Sequence, residues 1–381
     1  IPENEFRKLR TMIRMYRRVA GVGLALTMLV AGCGHSSSTS QGPATSSTPV
    51  PSVATSSTRA ASATSQAARD LPDPHTLRGL TEVPELPDPK PVEGSSAQKL
   101  PVTVTDVEGN KVTIKSTSRI LALDLYGTLS RTLIGLGLGD KIVGRTVSST
   151  EKQLHDRPVV TENGHVLNVE AVAGLKPSVI IADRSVGPKE ALDQLRKSGI
   201  PVVLVDPHRS VGSTPQLIRT IADAVGKPDA GEALVKRTQE QIDQAKKQIA
   251  AWKPAKPMRV AFLYVRGNAG VFFILGSENG ASELIQGVGA DDVASDKGIT
   301  TLVPANAESL VSINPDAIFV MRDGLASTGG MKGLLARAGV ANTTAGRKQR
   351  VISIPDGISL SFGPQTGEVL TAVAKALYGV K

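Results

Sequence analysis

Apolar positions change rhythm three times along this chain. Residues 19–32, VAGVGLALTMLVAG, form a single uncharged run. It is too short to span a bilayer as a helix and has the length of the apolar part of an export signal. Residues 34 to about 98 are rich in Ser, Thr, Pro and Ala, as in SSSTSQGPATSSTPVPSVATSSTRAASATS. So little apolar surface cannot offset the entropy of ordering the chain, and residues 33–98 are expected to be a disordered tether. From about residue 100 onward, strand-like runs alternate with helical stretches. That alternation predicts an α/β fold with parallel sheets covered on both faces.

The folded part resolves into two halves around one long helix. VTVTDVEGNKVTI (102–114) reads as a hairpin turning at Glu108-Gly109-Asn110. Strands are predicted at 119–124, 141–146, 178–183 and 201–206. Helices are predicted over LSRTLIGLGL, over 168–177 and over 189–199, the last ending on glycine. Residues 229–252 then carry apolar side chains at 234, 235, 242, 245, 249, 250 and 252, a stripe at helical spacing with no internal proline. About 24 residues at 1.5 Å each make a helix of roughly 36 Å. Beyond it the pattern restarts. Strands are predicted at MRVAFLY, 270–276 and 350–355, and helices at 282–289, 331–339 and 367–379. AESLVSINPDAIFVM (307–321) repeats the helix-Pro-strand layout of VEAVAGLKPSVIIAD (169–183). The expected organisation is a signal segment (1–32), the tether (33–98), a first lobe (99–227), a connecting helix (228–253) and a second lobe (254–381).

Composition narrows the function. At 40% apolar residues and a mean hydropathy of −0.03, the 381-residue chain is too polar for a multispan membrane protein. Arg14, Arg17 and Arg18 precede the apolar run, and Val30-Ala31-Gly32-Cys33 closes it. This has the form of a bacterial lipobox. Cys33 is the only cysteine, so no internal disulfide forms. Cys33 is therefore expected to be the lipid-modified first residue of an exported lipoprotein, held on the outer face of the cytoplasmic membrane. The residues before Met12 or Met15 read as an upstream extension. Residues 1–18 hold six basic and two acidic side chains, so removing the signal takes the net charge from +9 to +5. That balance suits an anionic small molecule and is no nucleic-acid footprint. Enzyme signatures are missing from the sequence. GLGLG at 135–139 follows a helical stretch rather than a strand, and neither G-x-S-x-G nor H-E-x-x-H occurs.

Lobe, long helix, lobe, together with VEAVAGLKPSVIIAD and KEALDQLRKSGIPVVLVD, resembles the class III substrate-binding proteins of ABC importers over residues 100–381. The resemblance implies two Rossmann-like lobes with a ligand cleft between them. The family's carriers take ferric siderophores, cobalamin or haem. GHVLNVEAVAGLKP, containing His165, and LYVRG, containing Tyr264 and Arg266, are similar to the actinobacterial haem-carrier branch. That likeness implies His165 and Tyr264 as the two iron ligands, one per lobe, with Arg266 hydrogen-bonding the tyrosine. It also implies an ABC permease and its ATPase as partners, surface haem donors, and a monomer. The cargo would be b-type haem, held without covalent attachment because no CxxCH is present.

The chemistry of these residues agrees. Ferric iron favours an anionic oxygen, and a free phenol has a pKa of about 10, so a cation beside it helps to keep it ionised. Residues two apart on a strand face the same way, which places Arg266 to reach the Tyr264 oxygen. His208, after the strand at 201–206, is the substitute should His165 fail. His35, His75 and His155 read as solvated. Tyr126 follows a strand and is expected to line the cleft, and Arg145 and Arg184, each after a strand, are candidates for pairing with propionates. Glu190 and Glu308, near helix starts in the two lobes, are the candidates for docking onto permease arginines. Acids there also suit the helix dipole without further function.

Overall fold

The computed structural model describes residues 71–93, 98–267 and 270–381. Cys33, His35, the export signal and most of the expected tether lie outside the described residues. In the first lobe, the apolar runs form four parallel strands in the order Ile142–Gly144, Ile120–Leu123, Val179–Ala182, Val202–Leu204. Every residue of Ile120–Leu123 and Val179–Ala182 is buried, as befits a sheet covered on both faces. The hairpin Val102–Thr105 with Lys111–Ile114 forms as the sequence predicts, with Gly109 in the left-handed turn position.

The second lobe holds a seven-stranded mixed sheet. Arg259–Arg266 lies at its centre, parallel to Ala317–Met321 and antiparallel to Val271–Ile274. Between the lobes runs one helix, Pro228–Trp252. Its buried stripe is shared. Ala230, Leu234 and Val235 belong to the first lobe's core, and Ala245 and Ile249 to the second's. The C-terminal helix Thr366–Tyr378 crosses it closely at Gly367, where a Cβ would meet the Gln241 backbone at 2.5 Å.

Two expectations change. The helix Thr214–Ala224 occupies a stretch with no predicted element; Leu217, Ile218 and Ile221 bury one face of it. The larger correction concerns residues 71–93, which are an ordered strap rather than tether. Leu80–Glu82 adds a parallel strand beside Val351–Ile354, and Val83 is buried in the second lobe's core. Further on, Val92 is buried in the first lobe's core. Polar contacts tie the strap to both lobes within a few residues: Arg322 pairs with Glu85 at 2.7 Å in one lobe, and Asp88 accepts from the Lys152 and Gln153 amides at 2.8 and 2.9 Å in the other. The physical reason lies in spacing. Apolar or proline residues recur every third position at Leu71, Pro74, Leu77, Leu80, Val83, Leu86, Pro89 and Val92. All of these but Leu80, which the strand Leu80–Glu82 turns outward, are buried or half-buried.

Candidate functional site

One cavity of about 360 Å³ is bounded by both lobes. The first lobe contributes Tyr126, Ser148, Thr150 and His165; the second contributes Tyr264, Arg266, Asn279, Met321, Asp323 and Asp356, with Leu275, Leu302 and Leu360 as apolar wall.

His165 is presented by a tight turn. Its amide bonds the Glu162 carbonyl at 3.2 Å, and Asn163 and Gly164 between them both have positive φ, 48° and 87°. Asn-Gly is the sequence that adopts such a turn at least cost. On the far side, Gly187 N donates to His165 O at 2.9 Å. Burial lowers the imidazole's pKa below its usual 6.5, so the ring is neutral and a nitrogen lone pair is available at pH 7.

Tyr264 stands two residues before the end of Arg259–Arg266, paired across the hairpin with Phe273, and is half-buried against the second lobe's core. Arg266 is on the same side, its guanidinium carbon 5.0 Å from the Tyr264 ring centroid. The expected hydrogen bond to the phenol is not among those of the described residues. Arg266 instead donates to Asp356 at 2.5 Å and to Met321 Sδ at 3.4 Å. A carboxylate is the stronger acceptor, and Asp356, at the start of Asp356–Ser359, stands within reach. Burial pushes the Asp356 pKa up, against the pull of Arg266.

Tyr126 lines the cavity, as the sequence suggests. Behind it, Arg209 lies 5.6 Å from its ring centroid, pairs with Asp183, and stands 3.7 Å from Asp124. Burial, followed by the Asp183 charge, pushes the Tyr126 phenol up to about 12, so it is protonated at neutral pH. Burial and Asp183 also push Asp124 up to about 7, against Arg209.

The other candidates fall elsewhere. Arg184 is committed to Glu108 and Asp193, at 2.8 and 3.0 Å, on the hairpin and the helix Lys189–Lys197, and does not line the cavity. The fold brings both acids to it. Arg145 bonds the Ser149 carbonyl at 3.4 Å and also stays off the cavity wall. His208 is exposed and bonded to Asp206 at 2.7 Å. His155 is exposed beside Asp156, whereas His75 sits in the strap against Asp73.

Glu190 and Glu308 are both exposed, but they are not counterparts. Glu308 is the second residue of Ala307–Ile313, whose Asn306 cap accepts from Ser309 N. The matching arrangement in the first lobe is Val169–Gly174, whose Asn168 cap accepts from Ala171 N and whose second residue is the exposed Glu170. The signal was in the sequence, as Asn-Val-Glu before one Pro-strand and Asn-Ala-Glu before the other.

The family model described as periplasmic binding protein matches residues 125–357. Among solved structures, the haem binding protein HmuT is 49% identical, with a TM-score of 0.80, covering 81% of this chain and 100% of that one. The lipoprotein YvrC of Bacillus subtilis, an uncharacterized ABC transporter substrate-binding protein, is 27% identical over 280 residues, 73% of this chain and 86% of its own length. A cobalamin-binding protein of Halobacterium salinarum is 24% identical over 299 residues, 77% of this chain and 78% of its own.

Proposed function

We propose that this chain, which belongs to the periplasmic binding protein family, carries haem in the cleft between its lobes and delivers it to an ABC permease. The observation that carries the reading is the presence of His165 and Tyr264, from different lobes, on one cavity. HmuT has been solved as separate alanine variants at a histidine, at a tyrosine 99 positions later and at an arginine two beyond that. Here 264 − 165 is also 99, and Arg266 follows by two.

The donor set fits haem. Among the described residues, no group of three or more His, Cys, Asp or Glu side chains converges as a metal site. Two donors are too few for a bare ion but match the two axial positions that a porphyrin leaves open. In this reading the neutral His165 offers nitrogen to one face of the iron and Tyr264 offers oxygen to the other. Arg266 stays beside that ring, 5.0 Å from its centroid, even while bonded to Asp356. Tyr126, held protonated, serves as wall rather than ligand.

Around that centre, Glu170 and Glu308 are the docking acids for the permease. Export, a lipid anchor at Cys33 and a tether now ending near residue 71 complete the reading. YvrC's description as a lipoprotein supports the anchor. The test is a Soret-region titration of residues 34–381 with hemin, for wild type and Tyr264→Ala. Wild type should show a ferric ligand-to-metal spectrum that the variant loses or shifts. A flat wild-type titration would sink the haem assignment. Saturable corrinoid binding in its place would favour the cobalamin reading that the Halobacterium relative represents.

A further inference from the structure

Haem carries two carboxylates, and the cavity has no free cation among its described lining residues to meet them. Arg145 and Arg184 are engaged off the cavity wall. Arg266 lines it but is bonded to Asp356, and Asp323 adds a second acid to the same wall. Two polar lining residues stand apart from these networks. Asn279 ends the turn Ser277–Asn279, its backbone set by Asn279 N donating to Gly276 O at 3.1 Å and by the left-handed Gly280 that follows. Its side-chain Oδ1 is buried and, among the described residues, has no hydrogen-bond partner. Ser148 lies on the opposite lobe and is half-buried, and its hydroxyl makes no hydrogen bond among the described residues.

Asn279 as a whole is half-buried, and a buried amide oxygen without a partner is disfavoured unless something else completes it. A half-turn about its last bond exchanges Oδ1 for the two N–H donors of Nδ2. An amide donor on one lobe and a hydroxyl donor on the other are what a ligand carboxylate needs when no cation is free. We propose that Asn279, together with Ser148, recognises the ligand's propionate carboxylates, so that the site selects them with neutral donors rather than with arginine. The proposal rests on the haem reading and adds the residues that read the ligand's edge.

The test crosses two ligands with three proteins. Dissociation constants are measured by Soret titration for hemin and for its dimethyl ester, in wild type, Asn279→Ala and Ser148→Ala. For Asn279→Ala, hemin affinity should fall about tenfold or more, the size of a hydrogen bond to a charged group. Ester affinity should hold, and the Soret position should be unchanged because the iron ligands are intact. Ser148→Ala should show the same pattern with a smaller loss. Asn279→Asp, which sets a negative charge against the propionate, should lose more hemin affinity than Asn279→Ala. Equal weakening of both ligands would reveal a merely structural asparagine and overturn the proposal, as would no weakening of either. Failure of wild type to bind hemin would overturn the haem reading and, through its premise, this one too. A wild type that binds hemin while the variants show no difference between the ligands overturns this proposal alone.

Discussion

Val83 offers a direct test of the strap. It is fully buried, at 0% exposure, among Val260, Phe319 and Ile352 in the second lobe's core, and its amide donates to the Ser353 carbonyl at 2.8 Å. Val83→Ala removes two methyl groups, about 1.6 kcal/mol of transfer free energy at about 0.8 kcal/mol each. The space left behind brings the cost to about 2–3 kcal/mol. In a folded unit of this size each kcal/mol moves Tm by about 2 °C, so a fall of about 4–6 °C is expected. Leu80, three residues earlier and 39% exposed, supplies the contrast, and Leu80→Ala should shift Tm by less than half as much. Thermal unfolding of residues 34–381 followed by circular dichroism measures both. A Tm within about 1 °C of wild type for Val83→Ala would refute the strap and restore a tether through residue 98.

Two further predictions concern charge. The Asp124 pKa is raised in the folded state from 3.8 to about 7, so its contribution to stability is present below about pH 4 and is lost as pH rises through 7. Asp183 and Arg209, its facing charges, are buried with it. Asp124→Asn cannot titrate, so urea denaturation of the ligand-free protein should show the variant gaining on wild type between pH 5 and pH 7.5. A difference that stays constant with pH would show that Asp124 does not take up its proton on folding. At the permease, Glu170→Lys and Glu308→Lys should each lower haem-stimulated ATPase of the reconstituted importer, and Glu190→Lys should not. A loss from Glu190→Lys with none from Glu170→Lys would reverse the assignment.

Local pattern was legible wherever neighbours in sequence decide the outcome. The hairpin at Gly109, the parallel strands, and the long helix with its stripe from 234 to 252 all follow from periodicity and turn chemistry. His165 and Tyr264 could be chosen from their motifs, and the fold sets both on the same cavity. What failed was partner choice across long sequence separations. Arg184 meets Glu108, 76 residues away, and Arg266 meets Asp356, 90 residues away; nothing local marks either acid. The strap was misread for a different reason. Composition treats Pro and Ser/Thr stretches alike, but only residues 71–92 carry an apolar residue or proline at every third position. Glu190 and Glu308 were paired as counterparts because helix starts were compared by rank rather than by cap. Asn168 with Glu170 matches Asn306 with Glu308, whereas the helix of Glu190 starts after Pro188, which gives no side-chain cap.

The connections between the lobes limit how haem could leave. The long helix is shared by two cores, so bending it would open both. Thr128 Oγ1 donates to the Ser361 carbonyl, Arg131 donates to Gln365 at 2.7 Å, and Val211 N donates to Glu283 at 3.1 Å, each from one lobe to the other. Gln365 also donates to the Pro87 carbonyl at 2.9 Å, which ties the strap into the same seam. A wide hinge rotation would have to break all of these, two of them buried and two part-buried. On the haem reading, such a rotation is unnecessary. An iron–ligand bond is lost over a far shorter displacement than packing between lobes, and the two ligands sit on different lobes. Force applied at Glu170 and Glu308, one on each lobe, would therefore act first on the coordination and only afterwards on the fold. A carrier built this way holds its ligand firmly in solution and releases it where a partner grips both lobes at once.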